Sequence, residues 1–114
     1  MSADRQNATL YAGDDLVLVV TVSDEIGNRL AIGDCSFAWI LAASAGSSAV
    51  ISKSSSSPAE IQRTHPNSGG LSIYVTHEDT TGLSGAMWHQ LVMTDGGGNI
   101  STITTGNLTF NTRT

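Results

Sequence analysis

Apolar and polar residues alternate along most of this chain. Leu16, Leu18, Val20 and Val22 alternate with Val17, Val19 and Thr21, the two-residue period that puts successive side chains on opposite faces of a strand. Asp24-Glu25-Ile26-Gly27-Asn28 follows as a turn cluster. In the next run Cys35, Phe37, Trp39 and Leu41 share one face, and Ser36, Ala38, Ile40 and Ala42 share the other. The alanines between Cys35 and Ala45 also suit a helix, but the flanking Gly33 and Gly46 and the Phe-x-Trp alternation favour a strand.

The remaining segments predict more strands. Ala49-Val50-Ile51-Ser52 reads as a short edge strand, and the run Ser54 to Ser57 as an exposed loop. Ala59 to Thr64 reads as another edge strand, closed by Pro66, which has no amide to give a ladder. Leu71, Ile73 and Val75 point one way, and Ser72, Tyr74 and Thr76 the other. His77 to Leu83 is too short for a regular helix but suits one turn capped by Thr76 or Asp79. After Gly85 comes a long strand, with Met87, His89, Leu91 and Met93 on one face and Trp88, Gln90 and Val92 on the other. Asp95-Gly96-Gly97-Gly98-Asn99 signals a hairpin, followed by strands over 100–105 and, past Gly106, 107–112. Seven or eight strands, spaced about a dozen residues apart, predict an all-β antiparallel sandwich.

Composition narrows what such a sandwich does. The 114 residues suit one domain. Only 13% are charged, whereas 15 Ser, 13 Thr and 12 Gly supply 40 positions. The net charge is −5, with one lysine, Lys53, and four scattered arginines. No basic stripe exists to displace counterions from phosphates, so nucleic acid is not an expected partner. The same lack argues against an anionic membrane surface, and no apolar run is long enough for a membrane-spanning helix. Residues Met1 to Asn7 lack the apolar core of a signal peptide. Cys35 is the only cysteine, so no disulfide forms within the chain.

Catalytic and metal chemistry find little support. His77-Glu78-Asp79 offers an imidazole and two carboxylates, but adjacent residues of an extended chain diverge, and a solvated turn is the better reading. His89 shares its face with Met87, Leu91 and Met93, which predicts a core or rim histidine with one satisfied hydrogen bond. His65 precedes Pro66 in a loop and gains nothing from its neighbours. Gly82-Leu83-Ser84-Gly85 leads into a strand rather than the helix of a nucleophile elbow. No Lys-Ser/Thr follows the glycines after Asp95, so they are not a phosphate loop. Neither Asp14-Asp15 nor Asp24-Glu25 has the spacing of a calcium loop, although calcium between distant loops stays open. Cys35 reads as a small buried hydrophobe. No enzymatic activity and no cofactor are expected.

The order of features resembles a known group. Gly13-Asp14-Asp15, a strand, Asp24-Glu25-Ile26-Gly27-Asn28, a strand, a serine loop and Gly69-Gly70-Leu71-Ser72-Ile73 come first. His77 to Leu83, Gly85, a long strand into Thr94-Asp95-Gly96 and Gly106-Asn107-Leu108-Thr109-Phe110 complete the series. This succession is similar to immunoglobulin-like domains of tailed-bacteriophage virion proteins, such as the N-terminal domains of baseplate and tail-fibre proteins. It covers residues 13–112. It departs from the pattern at Met87 and His89, where the family carries aromatics, and at the triple glycine of 96–98. The resemblance implies an N-terminal arm over residues 1–12 and an immunoglobulin-like sandwich over 13–114.

Function is then expected to be structural. If Met87, His89, Leu91 and Met93 face inward, Trp88 and Val92 form an apolar strip outside, and such strips mark contact sites. Tyr74 extends that patch if its strand is a neighbour. The resemblance implies a virion component at the neck, tail or baseplate, or on the capsid surface. It would be made in the bacterial host cytoplasm and would meet other virion proteins and further copies of itself. The alternative is an adhesive module that binds carbohydrate or a cell surface.

Overall fold

The structure is a computed structural model that describes residues 4–5, 8–23, 28–57 and 59–111. Along the chain run β1 (Asp4–Arg5), β2 (Ala8–Tyr11), β3 (Leu16–Thr21), β4 (Ser36–Ala42), β5 (Ala49–Ser54), β6 (Ile61–His65) and β7 (Gly70–Val75). One helical turn, α1 (His77–Thr80), precedes β8 (Gly85–Thr94) and β9 (Ile100–Asn111). Two sheets result. The larger runs β9-β8-β4-β5, with β1 and β2 both laid parallel against β9; the smaller runs β3-β7-β6. Because β1 meets Thr104–Thr105 and β2 meets Leu108–Asn111, the two act as one interrupted edge strand. The sandwich therefore has eight strand positions.

This strand order is that of an immunoglobulin-like sandwich, with β3, β7 and β6 in one layer and β9, β8, β4 and β5 in the other. The inward faces are the alternating apolar sets read from the sequence. Trp39, Leu41, Leu71, Ile73 and Leu91 are fully buried between the layers, with Phe37, Val75 and Phe110 packed beside them. A buried polar bond lies within the larger sheet, between its adjacent strands β4 and β8. Here the indole nitrogen of Trp39 donates to Nδ1 of His89 at 3.2 Å, both residues being buried. An indole is only a donor, so Nδ1 is the acceptor and the ring proton sits on Nε2. His89 pairs across the ladder with Gly106, which leaves room beside the imidazole.

Local chemistry explains the turns. Thr76 caps α1 by accepting from the Asp79 amide, while Asp79 accepts from the Thr76 amide, a reciprocal capping box. Between β8 and β9, Oδ1 of Asp95 accepts from the amides of Gly97 and Asn99, and Gly98 takes φ +85°. Of the three glycines there, Gly98 alone needs the left-handed region. Gly69 is more constrained: at φ +81°, a Cβ would stand 2.4 Å from the Val22 carbonyl oxygen.

Three expectations change. Gly106 does not divide the last strand; β9 continues through it, paired with β8 with a register shift between Leu91 and Val92. Ala8–Tyr11, expected within an arm, forms β2 on β9, because β9's second edge is free to accept it. The serine run is tied down instead of floating: Phe37 and Ser55 exchange hydrogen bonds of 2.8 and 3.0 Å, which extend the β4–β5 pairing past Ser54. Residues 1–3, 6 and 7 of the expected arm lie outside the described residues.

Candidate functional site

The outer face of the larger sheet follows from its register. Met87, His89, Leu91 and Met93 are buried, so Trp88, Gln90 and Val92 face outward and are half-buried. Across the ladders Trp88 lies between Asn107 and Ala42, Gln90 between Thr105 and Ile40, and Val92 between Thr102 and Ala38. Val92 and Trp88 thus belong to a broader apolar tract completed by β4, whose outward residues are Ser36, Ala38 and Ile40, with Ala42 buried opposite Trp88. The tract ends toward Ile100, which is 72% exposed.

Charge is missing from this face. Across β4, β5, β8 and β9 the single charged residue is Lys53, and it points inward. Its ammonium donates to Asp79 at 2.7 Å, with only 11% of the side chain exposed. These four strands hold 35 residues with no charge directed outward, which is unusual in a chain of net charge −5, whereas the short edge strand β1 of the same sheet carries Asp4 and Arg5. Polar rows of Asn, Gln, Ser and Thr keep the face hydrated without the desolvation penalty that buried charges would carry.

Tyr74 does not join this patch. Its strand, β7, belongs to the smaller sheet, so Tyr74 stands on the opposite side of the molecule, where its hydroxyl donates to Gln62 at 3.1 Å. Alternation assigns a residue to one of two faces but does not say which sheet its strand joins. The smaller sheet has its own apolar exposure. Val17 and Val19 on β3 are 51% and 66% exposed, with Val17 opposite Tyr74. Neither valine stood out in the sequence, because Leu16 to Val22 is apolar on both parities.

The residues with acid–base chemistry serve as clasps. Asp15 accepts from the His77 amide at 2.5 Å and pairs with His77 Nδ1 at 3.0 Å. Those bonds, the amide first, hold its carboxyl below the ordinary range. The buried Thr80 hydroxyl accepts from the Gly13 amide and donates to the Asp14 carbonyl, each at 2.9 Å. The Gly-Asp opening and the acidic-Thr turn, more than sixty residues apart, are therefore one junction. Burial pushes the Asp79 carboxyl up, but its bonds to Lys53 and Thr76 outweigh that and hold it low. His77 and Asp79 thus face different partners. Among the described residues, no group of three His, Cys, Asp or Glu is placed to hold a metal ion. Burial pushes the Cys35 thiol up, which disfavours the reactive thiolate. At the other end Arg63 donates to the Cys35 carbonyl at 2.5 Å and ties β6 to the start of β4.

No family model matches the chain, and no curated protein matches it. Fourteen chains of solved structures do. One lies in the crystal structure of ICOS in complex with ICOS-L and an anti-ICOS-L VNAR domain (TM-score 0.45, 12% identity), matching 97% of this chain and 56% of that one. Another is a family 123 glycoside hydrolase from Clostridium perfringens (TM-score 0.43, 11% identity), matching 99% of this chain and 24% of that one. The chain spans about half the length of the first and a quarter of the second.

Proposed function

We propose that this chain is a non-enzymatic structural subunit of a bacteriophage virion, an immunoglobulin-like building block that meets other virion proteins and further copies of itself. The observation that carries the reading is the uncharged outer face formed by β4, β8 and β9, with Trp88 and Val92 on the central strand β8. Such a face packs against a neighbour without stripping water from ions, and its half-buried Trp is the residue type that anchors interfaces. The order of Gly-Asp, acidic-Thr and glycine-led strand motifs, similar to that of phage virion domains, supports the virion setting. Contacts that are individually weak gain strength when repeated around a ring or lattice.

The separation of Trp88 and Tyr74 onto different sheets favours assembly over adhesion. A sugar-binding surface draws on neighbouring rings, and here Tyr74 lies on the other sheet while Tyr11, beside Asn111, stands four residues along β9 from the Asn107 that pairs with Trp88. The test is mass spectrometry of purified particles with copy-number quantification. The expected result is this chain in a fixed multiple per particle. A few copies would place it at a neck or baseplate ring, and hundreds on the capsid. Its absence from particles would overturn the reading.

A further inference from the structure

Among the described residues, one base is fully buried in the sandwich: His89. It stands on the inward row of β8 between Met87 and Leu91, with Leu41 of β4 and Gly106 of β9 opposite it. Its Nδ1 accepts the indole N–H of Trp39 from the neighbouring strand, the two rings lying 6.1 Å apart and tilted by 51°. That bond exists only for the neutral imidazole. A protonated ring carries a donor on each nitrogen and no acceptor, so neither a change of tautomer nor a ring flip restores it.

The surroundings offer an imidazolium no compensation. The other buried polar residues, Ser72, Thr80 and Thr104, are uncharged. From the smaller sheet, β3, β7 and β6 turn Val20, Leu71, Ile73, Val75 and Ile61 inward, and β9 adds Ile103, Leu108 and Phe110. Lys53 of β5, opposite Trp39 across the ladder, is itself a cation and already holds Asp79 of α1. Burial keeps the Cys35 thiol, ahead of β4, protonated. On β6, Arg63 is engaged by the Cys35 carbonyl and His65 is exposed. Of the carboxylates, Glu60 holds the Ser54 amide and Asp95 holds its own hairpin, while Asp14, Asp15, Asp34 and Glu78 are exposed.

We propose that His89 is a proton-operated latch on the sandwich. Neutral, it ties β8 to β4 through Trp39. Protonated, it sets two donors against each other and leaves an uncompensated cation between the layers, so the interior opens. The inference concerns the interior alone and stands apart from the assembly reading. Its sign follows from linkage. The unfolded chain takes the proton with ordinary imidazole affinity, near pH 6.5, and the folded core resists it. Stability is therefore full above about pH 6.5 and is lost below it, the unfolding constant rising about tenfold per pH unit. The carboxyls of Asp15, Asp79 and Asp95 are held below their ordinary 3.8 and stay ionised throughout that window.

Urea unfolding of the full chain from about pH 7.5 to about pH 5 tests it, with His89→Asn beside wild type. Asparagine offers an amide oxygen to the Trp39 indole and does not titrate. The wild-type unfolding constant should rise about thirtyfold over that interval, and that of His89→Asn less than about threefold. His65→Gln, on an exposed side chain, should keep the wild-type slope. Nitrogen NMR of the imidazoles reads the same event in wild type, whether or not His89→Asn folds. His89 should keep Nδ1 bare and Nε2 protonated, without titrating, for as long as the chain is folded. A folded chain in which His89 gains its proton near pH 6.5 would overturn the proposal, and so would a pH slope shared by wild type and His89→Asn.

Discussion

The two sheets solve the problem of exposure in opposite ways. The larger sheet exposes a face: its outward rows hold Trp88, Ile40 and Val92 among uncharged polar residues. The one charge of its longer strands, Lys53, is turned inward onto Asp79, and Asp4 and Arg5 are confined to the short edge strand β1. The smaller sheet exposes an edge, the uninterrupted β3, beneath Val17 and Val19. A face offers area and an edge offers hydrogen-bond register, so one small domain exposes two different kinds of surface on its two layers. Both depend on a rigid interior, and the interior is where the comparison breaks most easily.

The largest effect should come from Leu91→Asp, which places a carboxylate between the layers at a fully buried position. An unpaired buried charge costs several kcal/mol, comparable with the whole stability of a small domain. The variant should show no cooperative thermal transition, and both surfaces should be lost together.

Gly69→Ala comes next. The substitution forces a side chain into the left-handed region and against the Val22 carbonyl, at a cost of about 2–3 kcal/mol. Chemical denaturation should show the loss. The strain falls where the β3 edge ends, so the effect on the edge should exceed that on the Trp88 face.

Trp39→Phe separates the interior pin from simple packing. It removes the indole N–H and leaves His89 Nδ1 without that donor, a loss of about 1–3 kcal/mol with the cavity counted. A cost below about 0.5 kcal/mol, within the scatter of neutral substitutions, would show that the bond is incidental.

A smaller effect should come from Lys53→Ala, about 1 kcal/mol for a partly screened pair. This variant also tests pH dependence. The Asp79 carboxyl is lower in the folded chain than its ordinary 3.8, so the clasp contributes fully above about pH 4 and is lost as pH falls through the folded value. Wild type should therefore lose stability on acidification more steeply than Lys53→Ala. Equal slopes would show that the Thr76 cap, not Lys53, holds the carboxyl low.

Much of this architecture was legible because it rests on local rules. The parity of β8 placed Leu91 inside and Trp88 outside, and Asp95 to Asn99 announced its hairpin. The acidic-Thr turn was recognisable, although not its bonds to Gly13 and Asp14, since no local rule reports a contact across sixty residues. The same limit hid the partner of Lys53, although a lone lysine in an otherwise uncharged strand was a signal available to read. The β3 surface was hidden for another reason: when both parities are apolar, period two cannot say which valines face water. Gly106 misled because glycine marks strand breaks as well as places where a neighbour needs room, and His89 opposite it is what decides.

The proposal turns on the uncharged outer face of β4, β8 and β9 as the assembly contact. Its most direct test is the copy number of wild type and Trp88→Lys in purified particles, with each protein's thermal transition measured alongside. Trp88 is half-buried, so the lysine's stem still covers the strand while its charge spoils the face. The account predicts wild type in a fixed multiple and Trp88→Lys folded but depleted at least tenfold. A folded Trp88→Lys that enters particles at the wild-type copy number would contradict it.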